Sequence, residues 1–124
     1  MDCGKISDIG VQEVTSNKTG EIFTTARLIT EIVGVVSFSV TYEELSPGHR
    51  SSSPHCHSKN DEMYIVLSGT PTVQVNNEER IVRSGCYVSF RGGSNEKHVL
   101  INSTNQKVKL LKINSCLKDD IVTY

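Results

Sequence analysis

The sequence has no tryptophan, only three prolines and two methionines among its 124 residues, and no apolar run near the ~20 residues that a bilayer-spanning helix needs. That excludes a transmembrane helix, and no membrane partner is expected. An excess of charge is missing too: 13 Lys and Arg stand against 14 Asp and Glu, a net charge of −1. Such a chain has no basic stripe to hold nucleic acid by counterion release, so no nucleic-acid partner is expected. With 36 % hydrophobic residues it also lacks the composition of a disordered chain. The opening Met-Asp-Cys-Gly-Lys has no apolar secretory core, which predicts a cytoplasmic protein. Cys3, Cys56, Cys86 and Cys116 form no C-x-x-C pair. In a reducing compartment they are expected to be free thiols. A chain of this length is one domain and buries roughly two thirds of its unfolded surface, so it needs no disulfide staple.

What the chain has is frequent punctuation between short β-branched runs. Strands are predicted at 33–42, 63–67, 72–75, 79–82, 86–90, 98–101 and 108–113, separated by Gly, Pro and Asn clusters. Asn76-Asn77 reads as a two-residue hairpin turn between two of them. No window holds an apolar period of 3.6 over three turns; residues 22–32 come closest, weakened by Thr24, Thr25, Ile29 and Thr30. The pattern predicts an all-β sandwich or barrel. Residues 1–20 read as a mobile or edge-pairing arm and 21–124 as the folded domain, with the tail 117–124 unassigned.

The densest chemistry lies at His55-Cys56-His57. In a strand, residues i and i+2 share a face. Both imidazoles then point into the barrel and Cys56 points away. Two adjacent imidazoles are poorly buried when protonated but well suited to share a cation. Glu62 follows across a polar turn and heads an apolar strand, where an unpaired charge is costly. A hairpin would set it beside the histidines on the neighbouring strand, with Asp61 the competing carboxylate. His98 opens another strand after a glycine loop.

These residues resemble the two motifs of the cupin superfamily. Gly48, His55, His57, Glu62 and Gly69, with intervals of six, one, four and six residues, resemble the first motif, G-x5-H-x-H-x3–4-E-x6-G. Gly85, Gly93, His98 and Asn102 are similar to the second, although Arg91 stands where proline is usual and the loop before His98 is two residues longer. The resemblance covers residues 33–114. Leu45-Ser-Pro-Gly-His-Arg-Ser-Ser before the histidines, and the late Asp120 and Tyr124, look like the small single-domain, cupin 2 type members. Membership implies a single-domain jelly roll, the double-stranded β-helix barrel, with His55, His57, Glu62 and His98 holding one divalent transition metal ion inside one end. It also implies a frequent homodimer. Zn, Fe, Mn, Ni and Cu all suit three imidazoles and a carboxylate.

Tyr64 and Val66 share the parity of Glu62 and should face the interior, with Tyr64 either a catalytic candidate or core filling. Arg50, Arg91 and Lys97 are expected near the mouth, more as solvated charges than as an anion clamp. His49 is expected outside the site, and Cys86 reads as a small buried hydrophobe. Three functions fit this reading. The first is a metal-dependent enzyme acting on an organic acid or sugar, of isomerase or dioxygenase type. The second is a module that binds or senses a small-molecule ligand, and the third is a barrel whose metal is structural.

Overall fold

A computed structural model describes residues 1–124. One wall is a six-stranded antiparallel sheet. Its order is β1 (Gln12–Thr15), β2 (Ile22–Leu28), β3 (Phe38–Leu45), β10 (Val108–Ser115), β5 (Glu62–Ser68) and β8 (Tyr87–Phe90). A second wall runs β7 (Glu78–Ile81), β6 (Thr72–Val75), β9 (His98–Ile101). The two-residue strands β4 (Cys56–His57) and β11 (Val122–Thr123) pair with each other, and a bridge between His55 and His98 ties β4 to β9. The chain is a jelly-roll barrel. No helix is long and apolar enough to cross a membrane.

The strands form because their alternation gives each one inward row. On β3 the buried residues are Thr41, Glu43 and Leu45; on β5 they are Glu62, Tyr64 and Val66. Register then divides the interior along its length. Leu45 sits opposite Val108, and Val66 opposite Leu110, at one end. Thr41 and Tyr64 both sit opposite Lys112 toward the other. The core is one cluster of Leu45, Tyr64, Val66, Val73, Phe90, Leu100, Val108 and Leu110, which runs from the first end up to Tyr64 and Phe90 beside the second. Each fully buried large apolar side chain there contributes about 1.5–3 kcal/mol. Charged residues interrupt the inward rows at Glu43, opposite Leu110, and beyond it at Lys112 and Glu62, and that is where the site lies.

The strand expected at 33–42 begins later. Residues Ile29–Val33 form a single helical turn, α1, closed by Gly34 at φ 73. Only a residue at ease in the left-handed region ends a helix this way. The chain is redirected there, and β3 starts at Phe38. Of residues 22–32, the nearest approach to a helical pattern, 22–28 form strand β2 and 29–32 lie in α1. The Asn76-Asn77 turn joins β6 to β7, with Asn76 at φ 53. Of the first twenty residues, Gln12–Thr15 pair along the edge of β2. Cys86 is exposed rather than buried, in the turn that its N–H closes on Arg83 O just before β8. None of the four cysteines is bridged.

Asn102, the last residue of the second motif, is fully buried and organises a turn. Its Nδ2 donates to Leu45 O at 2.9 Å and Gln106 O at 2.7 Å, while its Oδ1 accepts from Thr104 N and Oγ1. Asn102→Ala leaves the buried Leu45 O without its partner, at about 1–3 kcal/mol, and also removes the bonds to half-buried Thr104 and to Gln106 O. Chemical denaturation should show a loss of about 3 kcal/mol or more; a loss below about 1 kcal/mol would contradict this role.

Candidate metal centre

Three histidines converge on one carboxylate. His55 and His98 are held side by side by reciprocal backbone hydrogen bonds, His55 N to His98 O at 3.2 Å and His98 N to His55 O at 2.9 Å. Glu62 does not reach them from a neighbouring strand, as a hairpin would require. It lies on β5, between Asn114 of β10 and Phe90 of β8, so the 58–61 turn carries the chain across the barrel from one wall to the other. Gly92 permits that crossing, since a Cβ there would lie 2.0 Å from Lys59 O. The two adjacent carboxylates face opposite ways. Glu62 is 2 % exposed and faces inward, while Asp61 faces out and accepts the Gly92 N–H at 2.9 Å.

Each ring is held by its Nδ1. That of His55 is 3.0 Å from both Ser52 Oγ and Ser53 O, that of His57 is 2.7 Å from Asp120 Oδ2, and that of His98 is 3.2 Å from Glu96 O. Partners of this kind place a proton on Nδ1 and leave the Nε2 lone pair free. All three Nε2 atoms face Glu62: His98 at 3.1 Å, His57 at 3.3 Å and His55 at 3.8 Å. Ligands about 2.1 Å from one ion, at tetrahedral or octahedral angles, lie about 3.0–3.4 Å apart. Buried His57 Nε2 has no aligned hydrogen-bond partner, although it is close to the carboxylate. An orphaned nitrogen at ligand spacing fits a cation between the groups. His55, Glu62 and His98, with donor atoms all within 4.8 Å of one another, form a group that can hold a metal ion. Phe90 stacks on the His98 ring at a centroid distance of 3.6 Å and fixes its plane.

The electrostatics agree. Burial alone would push the Glu62 carboxyl up, but the three imidazoles and Lys112 hold it far below the usual carboxylate range. Glu62 pushes the His57 imidazole up; burial opposes this and Asp120 reinforces it. A metal binds the imidazoles in their neutral form, whereas Glu62 favours the proton on His57. Metal uptake would therefore compete with protons.

A cavity of about 470 Å³ opens on this cluster, lined among others by His55, His57, Glu43, Lys112, Lys18 and Tyr124. Tyr64 does not line this cavity: it is 1 % exposed, with its ring in the apolar cluster beside Glu62. Burial, then the charges of Glu62 and Glu43, push its hydroxyl well above the ordinary value. The cations expected at the mouth are engaged elsewhere. Arg50 makes a two-point ion pair with Glu21 at 2.8 and 2.9 Å, Lys97 bonds the backbone oxygen of Tyr124, and Arg91 is exposed. His49 is away from the site, its Nδ1 3.3 Å from Phe23 O. Glu43, Lys112 and Lys18 carry no sequence signal; Asp120 and Tyr124 were marked only by the family-like ending.

Glu62→Gln should weaken metal binding far more than Asp61→Asn. Calorimetric titration with Zn(II) should show at least about a tenfold difference in Kd, given that removing even an outer partner of a ligand costs 10–100-fold. The opposite order would mean that Asp61 is the ligand.

Fold and site together define a small antiparallel barrel with an inward-facing His/Glu group at one end. The cupin domain family model matches residues 41–114, and the chain belongs to this family as a cupin 2 type protein. No curated protein sequence matches the chain. Among solved structures, the fold is similar to a candidate sugar phosphate isomerase from Acidithiobacillus ferrooxidans, with 23 % identity and a TM-score of 0.88 over 96 % of this chain and 76 % of that one. A sugar phosphate isomerase of the cupin superfamily from Silicibacter pomeroyi is 23 % identical with a TM-score of 0.78. That match covers 82 % of this chain and 64 % of the relative's length. A polyketide cyclase from Streptomyces resistomycificus is 21 % identical with a TM-score of 0.77 over 98 % of this chain and 83 % of that one.

Proposed function

We propose that the protein is a mononuclear metal-dependent enzyme that isomerises a small sugar or hydroxy acid. His55, His57, Glu62 and His98 would be the ligands, each histidine through Nε2. The observation that carries this reading is the cavity of about 470 Å³ opening directly on His55 and His57. A purely structural metal needs no such access, and structural sites are closed by protein ligands. When bound, a divalent cation here supplies Lewis-acid polarisation of a substrate oxygen.

The chain's own residues do the rest. Ser52, Ser53, Glu96 and Asp120 fix the tautomers and planes of the three imidazoles. Lys112 lines the cavity with its Nζ 3.8 Å from Glu62 Oε2, and so brings positive charge to the floor. Lys18, at the β1–β2 turn, adds a second ammonium group that favours an anionic substrate. Sugar phosphate isomerisation, the activity in the names of two similar structures, suits both features.

The test is turnover of sugar phosphates and small hydroxy acids by purified protein before chelation, after it, and after return of one equivalent of Zn(II), Mn(II), Fe(II) or Ni(II). Isomerisation lost on chelation and restored by one of these ions is expected. Tight metal and ligand binding without turnover would instead make this a binding module.

A further inference from the structure

A second acid faces the cavity, and the metal centre does not use it. Glu43 lies on β3 opposite Ala26 of β2 and Leu110 of β10, and its carboxyl is buried in the interior. It lines the same cavity as His55 and His57. Its hydrogen bond is a long one, from Thr41 Oγ1 at 3.4 Å. Two carboxylates, Glu43 and Glu62, thus share the interior with one ammonium group, Lys112, which is itself 3.8 Å from Glu62 Oε2. A buried carboxyl with so little support is costly to a fold that could place an apolar residue there. Such departures from local rules collect at functional sites.

The groups around it set its protonation. Lys112 faces it from β10, Thr41 from its own strand, and Glu62 and Tyr64 from β5, while Ala26 of β2 carries no charge. Burial pushes the Glu43 carboxyl up; Lys112 opposes this, Glu62 adds to it and Thr41 opposes it weakly. A carboxyl raised toward neutrality is suited both to take and to return a proton.

We propose that Glu43 is the proton-transfer residue of this cavity, shifting hydrogen between adjacent carbons of a small 2-hydroxy carbonyl compound while Lys112 faces the charge that develops on oxygen. This rests on the isomerase reading above. The Glu43 carboxylate takes the proton from the hydroxyl-bearing carbon. The C–H electron pair becomes a C=C bond, and the carbonyl π pair moves onto oxygen to give an enediolate. Glu43 then returns the proton to the former carbonyl carbon, and the remaining hydroxyl proton passes to the neighbouring oxygen. The product is an isomer, and no oxidant or reductant is consumed.

The experiment uses the full chain loaded with Zn(II), incubated in D₂O with D-glyceraldehyde 3-phosphate, D-ribose 5-phosphate and D-mannose 6-phosphate. Proton NMR follows loss of the carbon 2 proton and entry of deuterium at carbon 1 of the ketose product. Wild-type protein should exchange at least one probe, and Glu43→Gln should slow exchange by about 100-fold or more, with unchanged zinc content and an equal or higher melting temperature. Glu43→Asp should recover part of the rate. Infrared pH titration gives a readout independent of turnover: a carboxylic-acid C=O band that gives way to carboxylate as the pH rises should be present in wild type and absent from Glu43→Gln. Exchange by Glu43→Gln within about threefold of wild type, or an identical infrared titration in the two proteins, overturns the role of Glu43 and leaves the metal-enzyme reading standing. If wild type exchanges none of the probes, the proposal falls; if it also fails to bind zinc, the reading beneath it falls too.

Discussion

His55→Ala is expected to strip the protein of its metal, from about one ion per chain to less than about a tenth after dialysis. The reason lies in how the ring is held. Ser52 Oγ and Ser53 O fix His55 Nδ1, and the bridge to His98 fixes its backbone. Its Nε2 therefore arrives at the Glu62 carboxylate already oriented. Alanine removes a nitrogen that no neighbour replaces: His49 is engaged with Phe23 O, and buried Cys56 lies on the opposite face of the strand. Affinity for a transition metal depends on ligand number and geometry together. The His55→Ala/His57→Ala double variant should retain none. Elemental analysis measures this, and circular dichroism confirms that the barrel survives. Unchanged metal content in the double variant would remove the site.

Asp120→Asn is expected to weaken metal binding by about 10–100-fold without touching a ligand. Asp120 joins the last segment of the chain to the centre. One carboxylate oxygen is 2.7 Å from His57 Nδ1, and the other accepts the N–H groups of Lys59 and Asn60 at 2.8 and 2.9 Å. Burial pushes its carboxyl up, but His57 and those two N–H groups hold it down to about 2, from an ordinary 3.8. The sign of the pH effect follows. A depressed carboxyl contributes stability that is present above its unfolded pKa and lost as pH falls through the folded one. With chelator present, the stability gap between wild type and Asp120→Asn should be full above about pH 4 and close towards pH 2. A gap that stays constant across that window would contradict the contact. Weaker binding with an unchanged melting curve above pH 5 would place the effect on the imidazole alone.

Much of the site was legible because strand parity is a strict rule. The H-x-H spacing put His55 and His57 on one face, while Asp61 stayed a competitor of Glu62 until the structure showed Glu62 buried and Asp61 exposed. The route by which Glu62 arrives was not legible. A polar four-residue turn looks like a hairpin, and only Gly92, packed against Lys59 O, reveals a crossing between walls. Glu43 escaped for a related reason. It is one charge beside another in Tyr42-Glu-Glu-Leu45, and sequence cannot say which of Glu43 and Glu44 faces inward until register is known. The tail was unreadable because Val122 and Thr123 pair only with His57 and Cys56, a two-residue ladder too short to carry an alternating pattern. The strand expected at 33–42 failed at Gly34, where a left-handed helix end overrides the β-branched residues around it.

The most direct test of the metal centre is anomalous diffraction from crystals grown with one equivalent of Zn(II). The predicted result is a single peak inside the barrel, about 2.0–2.2 Å from Nε2 of His55, His57 and His98 and from a Glu62 oxygen. Open coordination should face the cavity that Glu43 and Lys112 line. A peak outside the barrel, ligation through Nδ1, or no peak at full stoichiometry would contradict it.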